Sequence, residues 1–170
     1  MTLNVYLSGE IHTDWREQIT RGAQGLDIVF SSPVTDHDAS DDCGVAILGA
    51  EDNKYWHDHK GAMVNAIRTR KGIEEADVVV VRFGEKYRQW NAAFEAGYAA
   101  AQGKSIITLH PPAISHMLKE VNAAAAAVCE EPEQVVQILD YVITGKLPPP
   151  KDGKDFIPIV DRLGKGNPNP

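Results

Sequence analysis

The sequence predicts one α/β domain, an open parallel sheet of about five strands with helices on both faces. Three observations lead there. Short apolar runs rich in β-branched residues alternate along the chain with segments of helical period. Those runs are continuously apolar rather than alternating, as in strands covered on both faces. The connections between them are mostly too long for hairpins, which leaves parallel pairing through crossovers.

The elements follow in order. Residues 3–7 read as the first strand, and residues 14–24 as a helix with Thr13 or Asp14 at its N-cap, Glu17 in its first turn and Gly25 beyond its end. Residues 27–30 (DIVF) read as a second strand. The stretch 31–58, acidic and rich in Asp, Gly and His, carries no apolar period and reads as a long functional loop or one holding short unresolved elements. A helix is expected over roughly 59–75 and a buried strand over 77–83 (DVVVVRF). A helix over 90–102 follows, with Trp90, Phe94, Gly97 and Ala101 as the apolar stripe that packs on the sheet. Gly103 stops that helix, residues 105–109 form the fourth strand, 123–129 the fifth, and 132–145 a last helix closed by Gly145. The domain therefore spans 1–145. Residues 146–170 are rich in proline and read as an extended tail, docked through Phe156, Ile157 and Ile159.

Composition narrows the function. The 170 residues are 43% hydrophobic and 24% charged, ordinary for a globular protein, and carry a formal charge of −7. Such an acidic surface repels phosphate backbones and anionic lipid, so neither nucleic acid nor a membrane is expected as a partner. Cys43 and Cys129 have neither C-x-x-C spacing nor the density of a disulfide scaffold, and reduced thiols are the expectation. The N-terminus passes directly from a short apolar run into polar residues, unlike a secretory leader. A cytoplasmic location is expected.

In parallel α/β sheets ligands bind beyond the carboxyl ends of the strands. After the first strand comes Ser8-Gly9-Glu10-Ile11-His12, where Gly9 lets backbone approach a ligand and the following helix start can receive an anion. After the third strand comes a loop ending at Gln89, then a helix whose Asn91, Glu95 and Gln102 share a polar stripe. A carboxylate there can act as a nucleophile or stabilise developing positive charge, or it can simply favour the helix start. Arg68, Arg70 and Lys71 can clamp an anion, or lie solvated against Glu74 and Glu75. Asp36, His37, Asp38, Asp41, Asp42, His57, Asp58 and His59 are metal-type side chains, but their spacing matches no known ligand pattern, so no metal is assigned.

Residues 3–145 resemble the YtoQ family of bacterial proteins, most specifically over Val5 to Arg16, Ser32 to His37 and Asp77 to Lys104. That family in turn looks like a remote relative of the nucleoside 2-deoxyribosyltransferases. The opening strand VYLSGEIHTD and the helix FEAGYAAAQGK carry that likeness, the latter similar to an E-x-G-Y-A-x-x-x-G-K pattern. The resemblance implies a flavodoxin-like sheet and glycosyl transfer without a cofactor. It places Glu95 on the nucleophile that attacks the anomeric carbon and Tyr6 on the tyrosine that orients it. Ser8, Gly9, Glu10, His12, Asp58, Arg68, Gln89 and Asn91 are then the candidate contacts for a nucleoside or nucleotide-like ligand. Two positions depart from the related enzymes: Gln89 stands where they have an aspartate for the sugar hydroxyl, and Thr69 where they have an acid that helps protonate the leaving base. Asp58, Glu10 or His12 are the candidate replacements for that proton donor. Arg68, Arg70 and Arg88 suit a more anionic ligand, such as a nucleotide. A non-catalytic binding protein of the same fold is the alternative. The alanine face Ala92, Ala96, Ala99 and Ala100, together with the transferases' shared pockets, leads to the expectation of a homo-oligomer.

Overall fold

Strand period and helix period together determine which side chains meet, and both are regular here. The computed structural model describes residues 1–87 and 89–149. The expectations for Arg88 and for docking through Phe156, Ile157 and Ile159 lie outside the described residues. Strands β1 (Leu3–Gly9), β2 (Ile28–Ser31), β3 (Val78–Arg82), β4 (Ser105–Leu109) and β5 (Ala127–Cys129) pair in parallel in the order β2-β1-β3-β4-β5. That is the flavodoxin-like order. Helices α1 (Trp15–Gly22), α2 (His37–Leu48), α3 (Lys54–Glu75), α4 (Trp90–Ala101), α5 (Lys119–Ala123) and α6 (Pro132–Thr144) cover it, with a 3-10 segment over Pro112–Leu118.

Side chains alternate across each strand, so the sheet separates two cores. Leu3, Val5 and Leu7 of β1 with Val78 and Val80 of β3 face Trp15 and Ile19 of α1 and Val135, Val136 and Leu139 of α6. Tyr6 with Val79 and Val81 faces Ile73 of α3 and Ala92, Ala96 and Ala99 of α4. Each fully buried Val, Leu or Ile contributes roughly 1.5–3 kcal/mol. Ser8, two residues beyond Tyr6, has the same phase and also points to the α3 and α4 side.

Besides the fifth strand, which is Ala127–Cys129 rather than 123–129 because α5 runs to Ala123, two expectations are corrected. Most of the 31–58 stretch is helical rather than a loop: α2 occupies Leu48 back to His37, and α3 begins at Lys54. Asp36 caps α2 by accepting the Ala39 amide at 2.9 Å. The apolar period was missing because α2 packs on α3 rather than on the sheet, and Gly44 is its one buried residue. The second correction concerns α4, whose sheet-facing stripe is Ala92, Ala96 and Ala99, while Trp90 and Phe94 are 73% and 67% exposed. Small side chains bring the helix close to Val79 and Val81. Ala92, Ala96 and Ala99 of the alanine face are thus spent within the chain, and Ala100 alone of the four is exposed.

Candidate active site

The chain runs outward in opposite senses from β1 and β3, leaving a crevice at their carboxyl ends. Ser8 closes one side of it and Glu95, six residues into α4, the other. The Ser8 hydroxyl, fully buried, donates to Glu95 Oε2. Burial raises the pKa of Glu95 above the usual carboxylate range, while the Ser8 hydrogen bond and the charge of Arg16 oppose the rise. Tyr6 lies beneath, only 1% exposed. Its hydroxyl has no hydrogen-bond partner among the described residues. Burial first, then the charge of Glu95, pushes its pKa up to about 12, against the pull of Thr69, Arg16 and Arg68. The Tyr6 ring fits against Gly72 of α3, where a Cβ would come within 2.5 Å of the ring.

Arg16 was not singled out from the sequence, yet it holds the β1 turn. Its guanidinium donates to the carbonyls of Leu7 at 3.0 Å, Gly9 at 3.0 Å and Glu10 at 2.6 Å, and lies 4.4 Å from the centre of the Trp15 ring. A cation in the first turn of a helix is out of place against the helix dipole, and that mismatch was the available signal.

Glu95 opens into a cavity of about 370 Å³. Gly9 and Ile11 supply its floor, Pro33 and Val34 one wall, Arg68, Thr69 and Arg70 of α3 a second, and Asn91 and Phe94 of α4 a third. Arg68 also donates to the Ser32 carbonyl at 3.1 Å, tying α3 to the segment after β2. Glu95 is the cavity's one carboxylate among the described residues. The structure thus brings together Tyr6, Ser8, Gly9, Arg68, Asn91 and Glu95.

Other candidates lie elsewhere. Gly9 does line the cavity, but its missing side chain is explained by β3: φ is +102° and a Cβ would stand 2.2 Å from the Arg82 carbonyl oxygen. Glu10 braces its own loop, taking the His12 amide on one oxygen and the Thr13 hydroxyl on the other. His12 packs on Tyr87, ring centres 4.5 Å apart, and with Glu10 lines a different cavity. Asp58 pairs with Lys54 at 3.2 Å on the outer face of α3 and is absent from the Glu95 cavity. Gln89 spans the loop after β3, its amide oxygen accepting from the Gly84 amide at 3.1 Å and its nitrogen donating to the Lys86 carbonyl at 2.5 Å. Lys71 pairs with Glu75 at 2.8 Å in solvent, whereas Arg68 and Arg70 have no carboxylate partner among the described residues. Of the Asp and His side chains from Asp36 to His59, His57 meets Asp42 at 3.0 Å and Asp58 at 3.5 Å, but no three among the described residues are arranged to hold a metal ion. Cys129 is a free thiol whose burial pushes its pKa up to about 11; Cys43 is also free.

An open five-stranded parallel sheet in this order defines a class, the doubly wound, flavodoxin-like α/β proteins. Two solved structures share the fold. One is a 2-deoxyribosyltransferase from the psychrotolerant bacterium Bacillus psychrosaccharolyticus, at TM-score 0.50 and 16% identity, covering 78% of this chain and 90% of that one. The other is a conserved protein from Enterococcus faecalis V583, at TM-score 0.53 and 13% identity, covering 84% and 99%. At sequence level the match is closer: the family described as nucleoside 2-deoxyribosyltransferase YtoQ matches residues 6–143. A Bacillus subtilis (strain 168) protein, described as uncharacterized protein YtoQ, is 40% identical over 144 residues, covering 84% of this chain and 97% of the relative. The chain belongs to the YtoQ family. No helix among the described residues is long and apolar enough to cross a membrane.

Proposed function

We propose that the protein is a cytoplasmic N-glycosidase or deoxyribosyltransferase-like enzyme that acts on a nucleoside or nucleotide-like metabolite through Glu95. One observation carries the reading: a half-buried carboxylate, held by the Ser8 hydroxyl, faces a cavity of nucleoside size. In the first step a carboxylate oxygen of Glu95 bonds to the anomeric carbon as the N-glycosidic bond breaks, and its electron pair leaves with the base. In the second, water or another base attacks the same carbon, frees Glu95 and retains configuration. Tyr6, neutral with its pKa near 12, is the donor that orients Glu95 once substrate displaces the resting geometry. Asn91 and Arg68 are the ligand contacts, and Arg68 with Arg70 favours a substrate bearing negative charge.

A second reading, a binding protein without turnover, has its own support. Among the described residues the cavity holds no acid besides Glu95, and protonation of the leaving base is worth a factor of about 10² to 10⁴. Incubation with a panel of nucleosides and nucleotides separates the two. Released base that disappears in Glu95→Ala, with the fold intact, is the expected result. A ligand-dependent rise in melting temperature with no product would instead leave only the binding protein.

A further inference from the structure

A second cavity, of about 440 Å³, opens at the same edge of the sheet but belongs to other side chains. Arg82 ends the central strand β3. It shares the phase of Val78 and Val80, so its side chain leaves the sheet on the α1 and α6 side, opposite Glu95. Its Nε and Nη1 are shut off from solvent and find no acceptor among the described residues. Orphaned donors on a cation are costly, and their persistence calls for an acceptor that the described residues do not provide. The nearby carboxylates do not fill that role. Glu10 spends both oxygens on the His12 amide and the Thr13 hydroxyl, and Glu85 is an exposed rim residue with no ion pair to Arg82.

We infer that Arg82 heads an oxyanion site, fitted to a phosphate group, with Lys86 and His12 as further donors in the wall. The loop after β3 is shaped around this cavity. Tyr87 sits at φ +65°, a conformation rare for a bulky residue, and its ring is held against His12 at 4.5 Å. Strain of this kind concentrates where a ligand is clamped. The guanidinium supplies charge-assisted donors at the inner end of the cavity and Lys86 a point charge at its rim. This site does not depend on the chemistry of Glu95, from which the turn at Gly9 separates it.

Isothermal titration with inorganic phosphate, against chloride at equal ionic strength, tests the site. Saturable binding is expected, weakened by about ten-fold or more in Arg82→Gln, whose bonds are charge-assisted and buried, and about three-fold in Lys86→Ala, whose ammonium is exposed and screened. Glu95→Gln should leave it unchanged. A nucleoside 5′-monophosphate distinguishes the source of the anion: competition with phosphate assigns the site to a ligand's own phosphate, and phosphate binding without competition assigns it to the free ion. No saturable binding, or equal binding in wild type and Arg82→Gln, overturns the site. If Arg82→Gln does not fold, Lys86→Ala, on the exposed rim, decides the matter, and unchanged affinity there overturns it equally.

Discussion

Among the described residues no acceptor meets the buried Tyr6 hydroxyl in hydrogen-bond geometry, although the Thr69 side chain lies close enough to lower its pKa; a hydroxyl left so costs about 1–3 kcal/mol. Tyr6→Phe removes that cost while keeping the ring against Gly72, so urea unfolding should show a stability higher by about 1 kcal/mol. Base release should fall in the same variant, because the donor that aligns Glu95 is gone. A less stable Tyr6→Phe would reveal an acceptor for the hydroxyl. Ser8 acts on charge instead. Burial raises the pKa of Glu95 and the Ser8 hydrogen bond lowers it, so Ser8→Ala should raise it further. Only ionised Glu95 is nucleophilic, and the acid limb of the pH profile should therefore move to higher pH, with the Glu95 carboxyl titration by NMR moving alongside. An unmoved titration would remove Ser8 from the electrostatics of the site. Stability runs the other way: native Glu95 binds its proton more tightly than the unfolded chain does, so its contribution improves as pH falls through the raised native value.

Among the elements, α2 is anchored through α3 rather than through the sheet. A Cβ on Gly44 would stand 2.2 Å from the Lys60 backbone carbonyl carbon and 2.3 Å from the Gly61 nitrogen, so the helix docks only because that side chain is missing. Gly44→Ala should cost about 1–3 kcal/mol through overpacking. Hydrogen exchange should show the loss of protection concentrated in α2, with the sheet unaffected; uniform loss would mean that α2 is integral to the core. This pair was illegible in the sequence because helices that meet through glycine leave no apolar stripe. The orientation of α4 was misread for a related reason. Trp90 and Phe94 outweigh alanine on any hydropathy count, yet close approach to Val79 and Val81 selects the smallest side chains.

At the scale of the molecule, apolar surface is left uncovered beside the Glu95 cavity. Trp56, Met63 and Ile67 lie along one face of α3, at 51%, 59% and 73% exposure, and Phe94 lies 67% exposed at the cavity wall. Exposed apolar residues that share a helix face mark association surfaces, and we propose that this face joins copies of the chain. Sedimentation should give a species heavier than one chain, reduced to the monomer by Ile67→Glu. A wild-type monomer would sink the proposal.

The sequence by itself determined the sheet, its parallel sense and the position of the first four strands, because β-branched runs and helical periods are local properties repeated along the chain; the alanine-rich fifth gave no such sharp limit. The sequence also marked Glu95 and the Ser8-Gly9 turn as candidates by their place after buried strands, and the family resemblance added Tyr6. Only the tertiary structure decided that Ser8 holds Glu95, that Arg16 binds the turn, and that Gln89, His12 and Asp58 point elsewhere. Those outcomes depend on which phase of a strand faces which helix and on which backbone groups remain unpaired after packing. Such relations arise between residues tens of positions apart and leave no periodic trace.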